Sequence, residues 1–327
     1  MRLKKRPTEI DRTWLHVPSR TLGPRGHKDN IARPLRKHSE LELSMIDPYC
    51  TYLLNNDIKA IYVNGTTSEG KSLTLNERKD IVEKWIAVSR GRLKIVVHVG
   101  AMNLKESKEL TSHAAKTGAD AIATLPTLFF KPQNLDALIS YCKSIASLAP
   151  DLPFYYYHLP VMTGVELNME DFMKEAKKEI PNLVGIKFSS KDLVDMIGVR
   201  YAGKFNIVYG CDEQLLGGLT MGAQGAVGSL HNFMPAVYQR MIGDIEKGDL
   251  ESARKEQIKG QQLCRLMYRY GNLLGGNVAA LKSFMPLVGL DLGPPREPMR
   301  PLTETERKQF TKEMNDLGFY DWKPAKL

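Results

Sequence analysis

Several features are scarce in this sequence, and each scarcity closes off a class of function. There is no apolar run of about 18 residues or more, the length a helix needs to cross a bilayer, so no membrane span is expected. The 327 residues hold only four cysteines, Cys50, Cys142, Cys211 and Cys264, none of them in a C-x-x-C pair. Cysteines so widely spaced in a chain of this length read as reduced core thiols of the cytosol, not as a disulfide framework. Neither G-x-G-x-x-G nor G-x-x-x-x-G-K-[ST] occurs, which disfavours a nucleotide-binding doubly wound sheet. No group of His, Cys and Asp has metal-ligand spacing, and His98, His113 and His231 read as structural.

Acid is also scarce relative to base, with a formal charge of +9. Residues 1–40 hold eleven Lys and Arg against four Asp and Glu, a surplus of seven that leaves only two for the rest of the chain. A nucleic-acid binder would spread basic residues over a folded face; here they sit in a leader, and no nucleic-acid partner is expected. That leader, 1–40, is rich in Arg, Lys, Pro and His and reads as a disordered basic tail. Its arginines invite a presequence reading, but Glu9, Asp11 and Asp29 count against it, since such peptides are poor in acids. Its nearest approach to a strand is the weak run Trp14-Leu15-His16-Val17.

From Leu41 the pattern becomes regular. Leu43, Ile46, Tyr49, Cys50 and Leu53-Leu54 recur at helical spacing. Short apolar runs then alternate with helical stretches. The runs are Ala60–Val63, Ile95–Val99, Ala121–Leu125, Phe154–Tyr157, Leu183–Phe188, Asn206–Tyr209 and Gly225–Gly228; the helical stretches are Leu75–Ser89, Lys105–Thr117, Leu135–Leu148, Met169–Lys178, Leu193–Val199 and Glu213–Met221. This alternation predicts parallel strands with crossover helices. The near-continuous apolarity of the runs fits strands covered on both faces. The expected architecture is an α/β, (β/α)8 TIM barrel over 41–234 with no clear first strand, followed by a C-terminal helical extension over 235–327.

In such a barrel the chemistry sits at the carboxyl ends of the strands. Those ends are Asn64-Gly65-Thr66-Thr67-Ser68-Glu69-Gly70, Tyr157-His158-Leu159-Pro160, Lys187-Phe188-Ser189, Gly210-Cys211-Asp212-Glu213 and Gly228-Ser229. Lys187 ends the run Leu-Val-Gly-Ile. A lysine buried there loses its charge to desolvation and becomes a nucleophile that forms Schiff bases with carbonyls. A lysine that snorkels to water from the strand end is the competing reading, and spacing alone leaves both open. The Tyr157 hydroxyl is placed to shuttle a proton beside Lys187, whereas Tyr155 and Tyr156 read as packed aromatics. The Gly65-Thr66-Thr67 turn offers N–H groups and hydroxyls to a carboxylate. Asp212 and Glu213 suit either a polyol or the start of the next helix, with the helix start favoured from sequence alone.

Gly-Thr-Thr-Ser-Glu-Gly, Tyr-His-Leu-Pro, Gly-Ile-Lys-Phe-Ser and Gly-Cys-Asp-Glu, in this order and spacing, resemble the dihydrodipicolinate synthase/N-acetylneuraminate lyase family. The resemblance runs from about Leu41 to the C-terminus and includes Gly293-Pro294-Pro295-Arg296. Within the family, Phe154–Pro160 is similar to the animal N-acetylneuraminate lyase branch. Val161-Met162-Thr163-Gly164 stands where synthases carry an arginine, and Thr127–Phe130 lacks the tyrosine that synthases use as a relay. The resemblance implies a Schiff base on Lys187 and proton transfer by Tyr157. It implies a pyruvoyl carboxylate held by Thr66 and Thr67, and a sugar tail lined by Ser189, Gly210, Asp212, Glu213 and Ser229. It implies cleavage of sialic acid to pyruvate and N-acetylmannosamine by a cytoplasmic homotetramer, with no cofactor and no metal.

Two departures carry expectations of their own. Family members open on an apolar strand ending in Thr-Pro, and no Thr-Pro pair precedes Leu41. An open barrel would expose two edges and core surface, at about 1.5–3 kcal/mol per buried apolar side chain. That loss compares with a domain stability of about 5–15 kcal/mol. Either part of 1–40 replaces the strand and the chain is a lyase, or the chain is an inactive or unstable lyase-like protein. A related aldolase acting on another 2-keto acid is the third reading. Second, Ser68 stands where the family carries glycine, so strain is expected there from a positive φ.

Overall fold

The short apolar runs find their hydrogen-bond partners in one another. The computed structural model describes residues 13–16 and 40–322. Its strands are β1 (Thr13–His16), β2 (Ala60–Val63), β3 (Lys94–His98), β4 (Ala121–Thr124), β5 (Phe154–His158), β6 (Leu183–Phe188), β7 (Asn206–Tyr209) and β8 (Gly225–Gly228). Each pairs parallel with the next, and β1 pairs parallel with β8, so the sheet closes into a barrel.

The first strand, expected to be missing or replaced, is therefore supplied from within the basic leader. Trp14 lies opposite Ala60 on one side and Val227 on the other, and Leu15 opposite Ile61 and Gly228. Four residues are enough because the neighbouring strands, β2 and β8, are themselves only four residues long. The open edges foreseen for a seven-stranded barrel are thus paired. The disordered-tail reading of 1–12 and 17–39 falls on residues outside those described.

Helices follow the strands: α1 (Ile46–Asn55), α2 (Leu75–Ser89), α3 (Leu104–Thr117), α4 (Leu135–Ala146), α5 (Pro160–Thr163), α6 (Met169–Glu179), α7 (Leu193–Ala202) and α8 (Leu215–Thr220). Their starts are written in the sequence. Thr74 and Glu77 form a reciprocal capping box on α2. The side chains of Asn103, Asn134, Asn168 and Asp192 accept first-turn N–H groups of α3, α4, α6 and α7. The single-turn α5 is not foreshadowed by any periodicity. The stretch Glu213–Met221, expected as one helical piece, is a 3-10 turn at Asp212–Gln214 followed by α8.

Beyond the barrel come α9 (Pro235–Glu246), α10 (Leu250–Leu274), α11 (Asn277–Phe284), α12 (Glu304–Asp316) and α13 (Phe319–Trp322), as the all-helical C-terminal pattern predicts. The core has two layers. Strand residues facing outward, such as Ile61, Tyr156, Ile186 and Phe188, pack under the helices. Inward-facing residues fill the barrel, among them Ala60, Tyr62, Tyr155, Tyr157, Val208 and Val227. The period-2 alternation of a strand sets this division. Small residues sit opposite large ones inside: a Cβ on Gly185 would lie 2.7 Å from the Tyr155 ring.

Candidate active site

The same alternation that turns Ile186 and Phe188 outward turns Lys187 inward. Its side chain is 1% exposed, and its Nζ lies 3.9 Å from the Tyr157 ring centroid and 4.4 Å from that of Tyr62. Among the described residues the amine has no hydrogen-bond partner. Burial drives its pKa well below the ordinary lysine value, against opposite pulls from Asp212 and Cys211. The snorkelling alternative is excluded by this placement.

Tyr157, on β5, pairs in register with Lys187. Its hydroxyl lies 3.3 Å from Thr66 Oγ1. Burial pushes the phenol up to about 12, although hydrogen bonds with Thr66 and Ser189 pull it back. Tyr156, by contrast, faces out and packs on Phe172 at 4.6 Å. Tyr155 faces in, with its hydroxyl 3.2 Å from Asn206 Oδ1.

Thr66 and Thr67 stand on the turn after β2. Glu69 N–H donates to Thr66 O at 3.0 Å and Gly70 N–H to Gly65 O at 3.1 Å, folding the turn on itself. Thr67 Oγ1 lies 2.7 Å from Ser229 Oγ, which links the turn to the end of β8. The strain expected at Ser68 is not there. The non-glycine residues with positive φ in this segment are Asn64 (62°) and Glu69 (52°), flanking the threonines. Ser68 is fully buried. Gly70 is required because a Cβ there would overlap Asn64 O.

Beyond the end of β7, Asp212 does not cap the helix that follows it. Its Oδ2 accepts from Leu230 N–H at 2.9 Å, across to the end of β8, and His231 Nε2 lies 3.5 Å from its Oδ1. Burial pushes this carboxyl up to about 7; Leu230 and Ser229 N–H groups and Lys187 oppose the rise. Glu213 accepts from Tyr268 Oη at 2.9 Å and faces Lys191 Nζ at 3.4 Å. Gln257 of α10 donates to Asp212 O at 3.1 Å while accepting from Leu216 N–H at 2.8 Å. Gly210 and Ser189 meet so closely that a Cβ on Gly210 would overlap Ser189 Oγ.

The structure thus gathers Lys187, Tyr157, Thr66, Thr67, Ser189, Gly210, Asp212 and Ser229 around one barrel mouth. Glu213 sits at its rim with partners on α10 and the loop after β6. Sequence reasoning missed Tyr62, whose ring lies under the amine and whose hydroxyl is 3.1 Å from His98 Nδ1. Burial pulls His98 well below its usual pKa, aided by Lys71 and Arg78, so the imidazole is neutral. An inward position on β2 was the available signal. Among the described residues no three His, Cys, Asp or Glu side chains converge to hold a metal ion, and no helix is long and apolar enough to cross a membrane. A neutral buried amine, a protonated phenol and paired hydroxyls on a turn suit carbonyl addition to a small anionic ketone.

Comparison with known proteins places the chain among relatives of similar length and fold. The chain matches the Dihydrodipicolinate synthetase family over residues 25–317, a range that begins after β1. It is 40% identical over 292 residues to the N-acetylneuraminate lyase of Mus musculus, covering 88% of this chain and 90% of that protein. The solved N-acetylneuraminate lyase of Aliivibrio salmonicida superposes with a TM-score of 0.85 at 34% identity, covering 95% of this chain and 98% of that one. That of Proteus mirabilis gives 0.84 at 32% identity, over 95% and 100%.

Proposed function

The chain belongs to the Dihydrodipicolinate synthetase family, and from that premise we propose that it is an N-acetylneuraminate lyase, cleaving open-chain sialic acid to pyruvate and N-acetylmannosamine through a Schiff base on Lys187. The neutral amine adds to the C2 ketone, and loss of water leaves a protonated imine. That imine draws the electron pair of the C3–C4 bond as it breaks, so no metal or redox cofactor enters the scheme. The C4 hydroxyl proton passes to Tyr157. Because burial keeps the phenol protonated, it acts as a relay, handing its own proton on toward Thr66 and the carboxylate held at that turn. The aldehyde form of N-acetylmannosamine leaves. The remaining enamine is protonated at C3, and water releases pyruvate and restores the amine.

The observation that carries this reading is the placement of Lys187, buried against Tyr157 and Tyr62 with no hydrogen bond from any described residue. Asp212, Glu213 and Ser229 give the mouth polar groups suited to a polyhydroxylated tail. The closure of the barrel by β1 favours an active lyase over an unstable lyase-like chain. Incubation with pyruvate and borohydride should leave a reduced adduct on Lys187 in peptide masses, and N-acetylneuraminate should release pyruvate faster than other 4-hydroxy-2-keto acids do. Absence of the adduct, or a preference for a different keto acid, would refute the assignment.

The reading extends to a homotetramer of the cytosol. Phe129 and Phe130, 78% and 86% exposed and in ring contact, form an apolar patch suited to cover by another subunit. Four buried free cysteines suit a reducing compartment. Light scattering on the purified chain tests the assembly.

A further inference from the structure

Two threonine hydroxyls can hold a carboxylate only if their turn is itself held, and its anchor is an ion pair that takes no part in the reaction. Glu69, two residues beyond Thr67, meets Lys282 of α11 at 2.6 Å, with side chains 0% and 2% exposed. Lys282 Nζ also donates to Pro294 O at 3.1 Å, and Arg296 N–H donates to the second Glu69 oxygen at 3.0 Å. The Arg296 guanidinium continues to Ser72 O at 2.5 Å and to Glu77 Oε2 at 2.8 Å. One carboxylate thus ties the Thr66–Thr67 turn to the C-terminal helices and to the Gly-Pro-Pro-Arg segment.

Stability alone does not account for such a pair. Burying two opposite charges costs about as much hydration as their attraction returns, and a packed apolar pair often does as well or better. What an apolar pair lacks is direction. Glu69 sits at φ 52°, a left-handed conformation costly for a side chain with a Cβ. Its own N–H closes the turn onto Thr66 O. The backbone of Glu69 therefore belongs to the turn, while its side chain is fixed from α11 and from residue 296.

Resting on the lyase reading, we propose that the Glu69–Lys282 pair is a positioning device that sets the Thr66–Thr67 turn for the substrate carboxylate. Through it the C-terminal helices govern carboxylate recognition at the barrel mouth without touching substrate. The distinctive consequence is selectivity for charge. Loss of the pair should weaken binding of a 2-keto acid anion and spare the same ketone when its carboxylate is masked.

Glu69→Gln, Lys282→Met and the double variant are compared with wild type by borohydride trapping at Lys187, with pyruvate and with methyl pyruvate as probes. Each variant is expected to raise the half-saturating pyruvate concentration at least about tenfold, the scale of a lost hydrogen bond to a charged group, and to move methyl pyruvate less than about twofold. KM for N-acetylneuraminate should rise far more than kcat falls. The double variant leaves no unpaired buried charge, so it carries the same test if a single variant fails to fold. Equal changes for the two probes, or no change for either, overturn the proposal and reduce the pair to packing. Wild-type protein that traps neither probe overturns the lyase reading itself, a result distinguishable from the first.

Discussion

The amine of Lys187 faces the ring of Tyr157 at 3.9 Å, on adjacent strands and in register. A cation would be attracted by that ring, yet the described residues supply no hydrogen bond to hold one, and burial drives the amine toward its neutral form. The arrangement favours reactivity at the expense of stability. Between the depressed folded pKa and the unfolded value of about 10.4, the unfolded chain binds a proton that the native chain does not. Stability therefore rises with pH through that window, and Lys187 costs most at and below its folded pKa. Lys187→Met should abolish pyruvate trapping and raise Tm at pH 7, with the gain shrinking as pH climbs toward 10.4. Thermal melts across that range check it; a variant less stable than wild type throughout would mean the amine is charged in the fold.

Tyr157→Phe keeps the ring that faces Lys187 and removes the hydroxyl bonded to Thr66. If the hydroxyl moves the C4 proton, imine formation survives while bond cleavage does not. The pyruvate adduct should still form on Lys187, and N-acetylneuraminate turnover should fall by about 10²–10⁴-fold, the usual worth of a positioned acid or base. Parallel loss of both activities would place the hydroxyl in imine formation instead.

Gly228→Ala should separate the two ends of the pocket. A Cβ at this position on β8 overlaps Asp212 Oδ1, and the carboxylate cannot simply retreat, since Leu230 N–H holds its other oxygen. Overpacking of this kind costs about 1–3 kcal/mol. Displacing Asp212 should raise KM for N-acetylneuraminate, while half-saturation by pyruvate, which leaves the sugar end empty, stays near wild type. A pyruvate value that rises equally would show that Asp212 serves the whole pocket.

What could be read from the sequence divides along a physical line. Lys187, Tyr157, Thr66 and Ser229 were legible because a strand end in a barrel points at the mouth and the apolar runs mark the strand ends. Glu69, Lys282 and Gln257 were not, because their roles depend on partners far along the chain: Glu69 and Lys282 are joined only once α11 folds back over the barrel. Asp212 misled for the same reason. Locally it resembles a helix-starting acid, and its actual donor is Leu230 on the neighbouring strand end. The positive φ assigned to Ser68 falls on Asn64 and Glu69 instead, a choice that the backbone of the closed turn makes and no side-chain pattern displays.

The first strand was the least legible element, and it carries the sharpest stability test. Thr-Trp-Leu-His is too short to show period-2 alternation, and it lies among prolines and charges that argue for coil. Its pairing is specified by the two edges waiting for it. Leu15 sits between Ile61 of β2 and Gly228 of β8, so its backbone lies within the ladders on both sides. Proline there removes the N–H and fixes φ near −65°, a substitution that central strands do not tolerate. Leu15→Pro should cost about 1–3 kcal/mol for the ladder partner left unpaired, lower Tm and, if the barrel opens, blur its cooperative transition, while Leu15→Val leaves both close to wild type. Trapping at Lys187 should fall with the melting transition, because Ser229, the partner of Thr67, directly follows β8. A Leu15→Pro variant that melts and traps like wild type would show instead that the seven strands from Ala60 onward hold the mouth in shape without β1.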